Sequence, residues 1–237
     1  MFTAAIALGP DGMIFNVGRG LGYEFIGYGA DLGCKIGKTT LDEEHIGDFA
    51  RGELTWPAGL AVSSDGSVYC SDEIENSISY FAPDRIIEFP EFETDGERLG
   101  SWGEAGSDRG KLNGPNGIVF DRQDNLYIVD SRNDRIQKFT KDGKFLSCWG
   151  SSGDGDGQFN RPWGITIDTD GDIYVADWGN NRVQKFSPDG TYLMRFGSDP
   201  QSGGDLDHPC DVAVDSDGDV YVTDWGNHRV QIFEADG

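Results

Sequence analysis

Histidine is scarce, at three residues in 237, and basic side chains are outnumbered 42 to 19, which leaves a formal net charge of −23. This shortage of lysine and arginine argues against nucleic acid as a partner, because a phosphate backbone is bound by a concentrated basic face. Acidity of this degree serves solubility, and it also attracts divalent cations or basic partners. Cys34, Cys70, Cys148 and Cys210 form no CxxC pair and follow no repeat-matched spacing. No zinc knuckle or disulfide framework can therefore be read from them. Cys70 is expected in a strand and Cys210 in a loop, as unrelated thiols. No apolar run approaches the ~18–20 residues of a membrane helix, and no signal-peptide layout opens the chain. GxSxG and HExxH motifs are missing as well, and the glycine-rich Gly153-Asp154-Gly155-Asp156-Gly157 lacks the Gly-Lys-Ser/Thr of a phosphate cradle.

What the chain does have is repetition. Trp178-Gly179-Asn180-Asn181-Arg182-Val183-Gln184 returns as Trp225-Gly226-Asn227-His228-Arg229-Val230-Gln231, and Tyr127, Tyr174 and Tyr221 recur at 47-residue steps (127 to 174 to 221). A fixed period filled with short alternating strands and Gly/Asp turns means small sheets in tandem. The clearest copy predicts strands at Gly164 to Asp168, Asp172 to Asp177, Arg182 to Phe186 and Tyr192 to Gly197. Thr169-Asp170-Gly171 makes a tight hairpin between the first two, where glycine accepts positive φ. The expected fold is an all-β propeller domain over 1–237. Its blades fall at about 1–54 (degenerate), 55–112, 113–159, 160–206 and 207–237, the last without an outer strand. The second copy carries an insertion around Pro83 to Asp95.

These units resemble NHL repeats: Pro-x-Gly, a short apolar strand, Asp-x-x-Gly, Tyr-Val-Ala-Asp, then Asn-His-Arg-Val-Gln. The most literal match is Gly226-Asn227-His228-Arg229-Val230-Gln231-Ile232-Phe233. The resemblance implies a β-propeller, usually of six four-stranded blades. Against that pattern the five copies read as a fragment lacking at least one blade, with a closed five-bladed ring as the alternative. Ubiquitin-ligase and RNA-regulatory roles occur in the family. Neither fits here, because there is no RING-type cysteine pattern and the charge has the wrong sign for RNA.

In a four-stranded meander the loops alternate between two rims. Asp-Gly hairpins belong to one rim; the links between blades and the loops joining second to third strands belong to the other. That second rim is expected to gather Trp163, Trp178, Trp225, Arg132, Arg161 and Asn116, with His208 and Asp211 beside them. Exposed aromatics and arginine together are the composition of binding hot spots, although tryptophan packed over a neighbouring loop would account for the same pattern. The partner is expected to be a protein or a small-molecule ligand, engaged by a non-catalytic binding, scaffold or sensor module with no cofactor.

The alternative carried by the resemblance is a metal-dependent amidating lyase or gluconolactonase, holding zinc or calcium at the channel mouth. His45, His208 and His228 would then share the tryptophan rim, with Asp211 facing the central channel. A zinc site needs three protein ligands converging within ~2.0–2.2 Å of the metal. Asp168-x-Asp170-Gly171-Asp172 and Asp215-x-Asp217-Gly218-Asp219 read as hairpin turns, since a calcium loop requires a later glutamate and flanking helices. Asp130, Asp177 and Asp224, each ending a strand, are expected to bond turn amides.

Overall fold

Every named strand pairs antiparallel with its sequence neighbour. This follows from short runs of alternating side chains, separated in the second unit by four or five residues within each blade. The computed structural model describes residues 2–19, 34–42, 44–50, 52–82, 98–197 and 205–234. The insertion expected around Pro83 to Asp95 lies outside them. The chain is all-β and of the propeller class, and it divides into two compact units, Met1–Ala105 and Gly106–Gly237.

The first unit holds two blades. One is β1 (Phe2–Leu8), β2 (Ile14–Arg19), β3 (Lys35–Thr39) and β4 (His45–Phe49); the other is β5 (Pro57–Val62), β6 (Val68–Asp72), β7 (Ser77–Phe81) and β8 (Arg98–Trp102). Phe15, Val17, Ile36 and Phe49 of the first pack with Leu60, Val68 and Phe81 of the second in one buried cluster. His45 opens β4 and pairs with Thr39. It therefore sits at the hairpin end of its blade and not in a link preceding the next copy, which corrects the expectation that it joins the other two histidines.

The second unit holds three blades. These are β9 (Pro115–Phe120) to β12 (Phe145–Trp149) through β10 (Asn125–Asp130) and β11 (Arg135–Thr140); β13 (Ile165–Ile167) to β16 (Tyr192–Phe196) through β14 (Ile173–Asp177) and β15 (Arg182–Phe186); and β17 (Pro209–Val214), β18 (Val220–Asp224) and β19 (Arg229–Phe233). Strand β14 is buried along its whole length, because a neighbouring blade covers each of its faces. Ile173 and Val175 join Tyr127, Val129 and Ile136 on one side, while Tyr174 and Ala176 join Val212, Val220 and Val222 on the other. Each of the valines and isoleucines among them contributes roughly 1.5–3 kcal/mol when fully buried.

Consecutive blades approach closest at their first strands. The amide of Gly117 donates to the carbonyl of Trp163 at 2.9 Å, and a Cβ on Gly117 would lie 2.6 Å from that oxygen. A Cβ on Gly164 would meet the Asp211 carboxylate at 2.4 Å and its Cα at 2.6 Å. The Asp-Gly turns are closed by Asp168 and Asp215, whose Oδ1 atoms accept the amides of Asp170 and Asp172, and of Asp217 and Asp219. Cys210 lies within β17, not in a loop. Strand pairing begins already at Pro209 opposite Asp224, with a register shift before Asp211. None of the four cysteines forms a disulfide, and among the described residues no helix is long and apolar enough to cross a membrane.

Candidate functional site

The rim opposite the hairpins is built by one repeated device. Asp177, at the end of β14, accepts the Asn160 amide of the preceding link on Oδ1 at 2.8 Å. Its Oδ2 accepts Asn180 at 2.9 Å, Arg182 Nε at 2.8 Å and Gln184 at 3.2 Å. Arg182 then donates to the carbonyls of Asp154, Gly155 and Gln158 at 2.7–2.9 Å. The glycine-rich segment from Gly153 to Gly157 is thus gripped from below.

Asp130, Asn133, Arg135 and Gln137 repeat the device around Gly106 to Lys111. In the fifth blade Asp224 accepts from Asn227 and Arg229, and these two donate to the Asp205 carbonyl. The second blade has Ser77 and Ser79 where the third to fifth have Arg and Gln. Its Asp72 instead accepts backbone amides of Thr55, Trp56, Ile74 and Glu75. The terminal aspartates are structural, as expected. Their main partners, however, are the arginine, the asparagine and the link amide of the same blade.

Above this base lie the loops. Trp178-Gly179-Asn180 is a single 3₁₀ turn capped by Asn181 in the left-handed region. Asn181 Oδ1 accepts the His208 amide at 2.9 Å, as Asp134 accepts that of Arg161 at 2.7 Å. Arg161 and His208, each just before a proline, have φ of 51° and 54°. Each second-to-third-strand loop therefore positions the following link.

Four predicted residues come together in a row. The Trp163 and Trp178 rings stack at 5.5 Å with 15° between planes. His208 lies 4.3 Å from Trp178, and Trp225 meets His208 edge-on at 6.2 Å. Trp225 is 62% exposed. The Trp178 indole N–H is enclosed with no acceptor among the described residues, a costly arrangement for a buried donor. His208 Nδ1 lies 2.5 Å from Asp207 Oδ1; with the proton on Nδ1 the ring donates to that carboxylate.

The other predicted residues are on the same rim but outside this stack. Exposed Arg132 runs over Gly114, where a Cβ would meet its side chain at 3.0 Å. Arg161 is exposed in the next link, and half-buried Asn116 sits on β9 at the place Trp163 takes in the following copy. Asp211 stands on β17 against Gly164, and its carboxylate accepts the Val212 amide at 2.9 Å. Crowding by protein pushes its carboxyl up to about 6, and burial likewise pushes the Cys210 thiol up to about 11. Asp211 keeps an open side to solvent, so its lift is that of a carboxyl in a concavity and not of one sealed from water. His228 is exposed in the last loop, with φ of 54°. Among the described residues no three His, Cys, Asp or Glu side chains are placed to share a metal ion.

Asp207 was missed as a site residue, although its place is marked by Asn113 and Asn160 at the same step in earlier copies. A carboxylate there brings an acceptor beside His208 that asparagine would supply only as a neutral amide.

The NHL repeat model matches residues 112–139, 159–186 and 206–233. No curated protein matches the sequence. Among solved structures, a streptogramin B lyase superposes with a TM-score of 0.61 at 14% identity, covering 98% of this chain and 82% of its own. A catalytically inactive virginiamycin B lyase from Staphylococcus aureus with quinupristin gives 0.57 at 16% identity, over 98% and 84%. A Bacteroides caccae protein of unknown function gives 0.66 at 15% identity, over 99% and 78%. At these identities the likeness is one of fold.

Proposed function

Because the chain carries NHL repeats arranged in propeller blades, we propose that it is a non-catalytic binding or sensor module. Its ligand, a protein segment or an organic small molecule, is engaged on the rim of the second unit. The observation that carries this reading is the row Trp163, Trp178, His208 and Trp225. Three tryptophans and a histidine share one surface although the repeat device beneath needs none of them. The third blade has Ser131 where Trp178 and Trp225 stand, and its Asp130 network is complete. Rigid aromatics on a preorganised base are the usual source of binding energy at interfaces. Trp178→Ala combined with Trp225→Ala should abolish capture of the partner from an extract of the source cells while leaving circular dichroism unchanged. Undiminished capture of the same partner would reject the rim as its site.

A second reading is a metal-dependent enzyme of the amidating-lyase or lactonase kind. It is favoured by one observation, the Asp207–His208 pair beside exposed aromatic rings. The fold likeness to streptogramin lyases is compatible with it. Elemental analysis decides this reading: bound metal that is lost in His208→Ala or Asp211→Asn supports it, and a metal-free protein at neutral pH discards it.

A further inference from the structure

The fourth and fifth blades build the same corner of the rim from different side chains. In the fourth, the Trp163 ring covers Trp178 at 5.5 Å, Gly164 follows it, and the neutral side chain of Asn160 lies against Gly179. The residues 47 places further on are Cys210 for Trp163, Trp225 for Trp178, Asp211 for Gly164, Asp207 for Asn160 and Gly226 for Gly179. The backbone of the corner is kept. The Asp207 carbonyl accepts the Gly226 amide at 2.7 Å, as the Asn160 carbonyl accepts that of Gly179 at 2.8 Å.

The three changed side chains act in one direction. Cysteine in place of tryptophan removes the ring that would lie on Trp225. Among the described residues the ring against Trp225 is that of His208, edge-on at 6.2 Å, and the Cys210 thiol turns back to the His208 carbonyl at 3.6 Å. Aspartate in place of asparagine brings a negative charge beside Trp225. A Cβ on Gly226 would collide with the Asp207 carboxylate, and that side chain keeps 45% of its surface in solvent. Aspartate in place of glycine adds a second negative charge next to Cys210. Neither carboxylate is paired with lysine or arginine among the described residues: Asp207 has the His208 ring and Asp211 the Val212 amide. Arg229 is occupied by Asp224 and the Asp205 carbonyl.

We propose that this corner binds a guanidinium group, carried by an arginine of a partner peptide or by a small guanidine, which lies flat on Trp225 as Trp163 lies on Trp178 and donates to the Asp207 carboxylate. Asp211 adds to the attraction. A flat cation satisfies both features of the corner. Guanidinium stacks on indole and forms paired hydrogen bonds to a carboxylate, whereas an ammonium is a compact, strongly hydrated charge. The net charge of −23 favours the approach of such a partner. The inference rests on the reading of the rim as a binding surface and names the group it binds.

The test titrates the peptide acetyl-Gly-Arg-Gly-amide into the full chain and follows tryptophan fluorescence. Lysine and citrulline peptides of the same frame are run alongside, with Nα-acetyl-arginine amide. The arginine peptide should saturate at one per chain, the lysine peptide should bind about fivefold more weakly, and the uncharged citrulline peptide should not bind. Cys210→Trp, which restores the ring of the fourth blade, should abolish binding. Asp207→Asn keeps the shape of the side chain and should weaken binding about tenfold. Asp170→Asn, on the hairpin rim, should change nothing. Equal binding of the arginine and lysine peptides overturns the proposal, and so does arginine binding unchanged in Asp207→Asn or in folded Cys210→Trp. Acetyl-arginine amide binding as tightly as the peptide supports a small guanidine as the source, and weaker binding supports a peptide. Failure of every probe to bind overturns the guanidinium assignment alone: loss of the extract partner in the Trp178→Ala, Trp225→Ala variant would still uphold the rim as a binding surface.

Discussion

Arg182 Nε lies 2.8 Å from the Asp177 carboxylate, and the two side chains keep 3% and 0% of their surface in contact with solvent. Burial opposes the carboxylate and raises the Asp177 pKa despite the hydrogen bonds from Asn160, Asn180 and Arg182. A buried charge is tolerable only while its partner is in place. Arg182→Ala should therefore lower unfolding free energy by about 3–5 kcal/mol. Arg229, more than a third exposed in the equivalent pair, should cost about 1 kcal/mol on the same change. Urea denaturation of the two variants measures the difference.

Gly117 is where two blades meet through backbone alone. Gly117→Ala puts a methyl group 2.6 Å from the Trp163 carbonyl oxygen, so the 2.9 Å hydrogen bond between the blades must lengthen. The expected loss is about 1–3 kcal/mol. Gly157→Ala is the control. It meets no atom within 4 Å but has φ of 74°, and left-handed strain alone should cost about 1 kcal/mol. Equal midpoints for wild type and Gly117→Ala would show that the blades are not in tight contact there.

Asp211 gives the stability curve an unusual slope. Its folded pKa lies near 6 because the protein crowding its carboxyl removes part of its hydration although one side stays open to solvent, so between about 4 and 6 the folded chain holds a proton that the unfolded chain has released. Stability accordingly falls as pH rises through that window. Asp211→Gly, which restores the residue type of the neighbouring copies, should remove the decline. Asp224 behaves oppositely. Burial works against its charge, but the Asp207 amide, Asn227 and Arg229 more than offset that and lower its pKa. Its contribution is present above the ordinary carboxylate range and is lost as pH falls through the depressed value. Denaturant midpoints at several pH values separate the two slopes.

The 47-residue period made the strands of the second unit legible, and β15 runs from Arg182 to Phe186 as the alternation predicts. Rim membership of the three tryptophans also followed from counting strands, because loop position in a meander depends only on order. Their stacking did not follow. Ring separation depends on where the backbone turns left-handed, here at Asn181 and His208, and a preference shared by Asn, Asp and His does not single out those positions. Cys210 was misplaced because a proline suggests a loop, whereas here Pro209 opens an inner strand that needs no amide from it. The grip of Arg182 on the Asp154 to Gln158 carbonyls was readable only indirectly. The glycine-rich segment recurs where arginine and glutamine recur, and the second copy, with Ser77 and Ser79, lacks all of these together.

In the function proposed above, repeat residues maintain the fold while Trp225, with 62% of its surface open, serves recognition. Urea denaturation of Trp225→Ala beside Arg182→Ala tests this most directly. The predicted result is a change within about 0.5 kcal/mol for the tryptophan variant, against several kcal/mol for the arginine variant. A tryptophan variant as unstable as the arginine one would contradict the account, because Trp225 would then be part of the packing and not a surface held out for a partner.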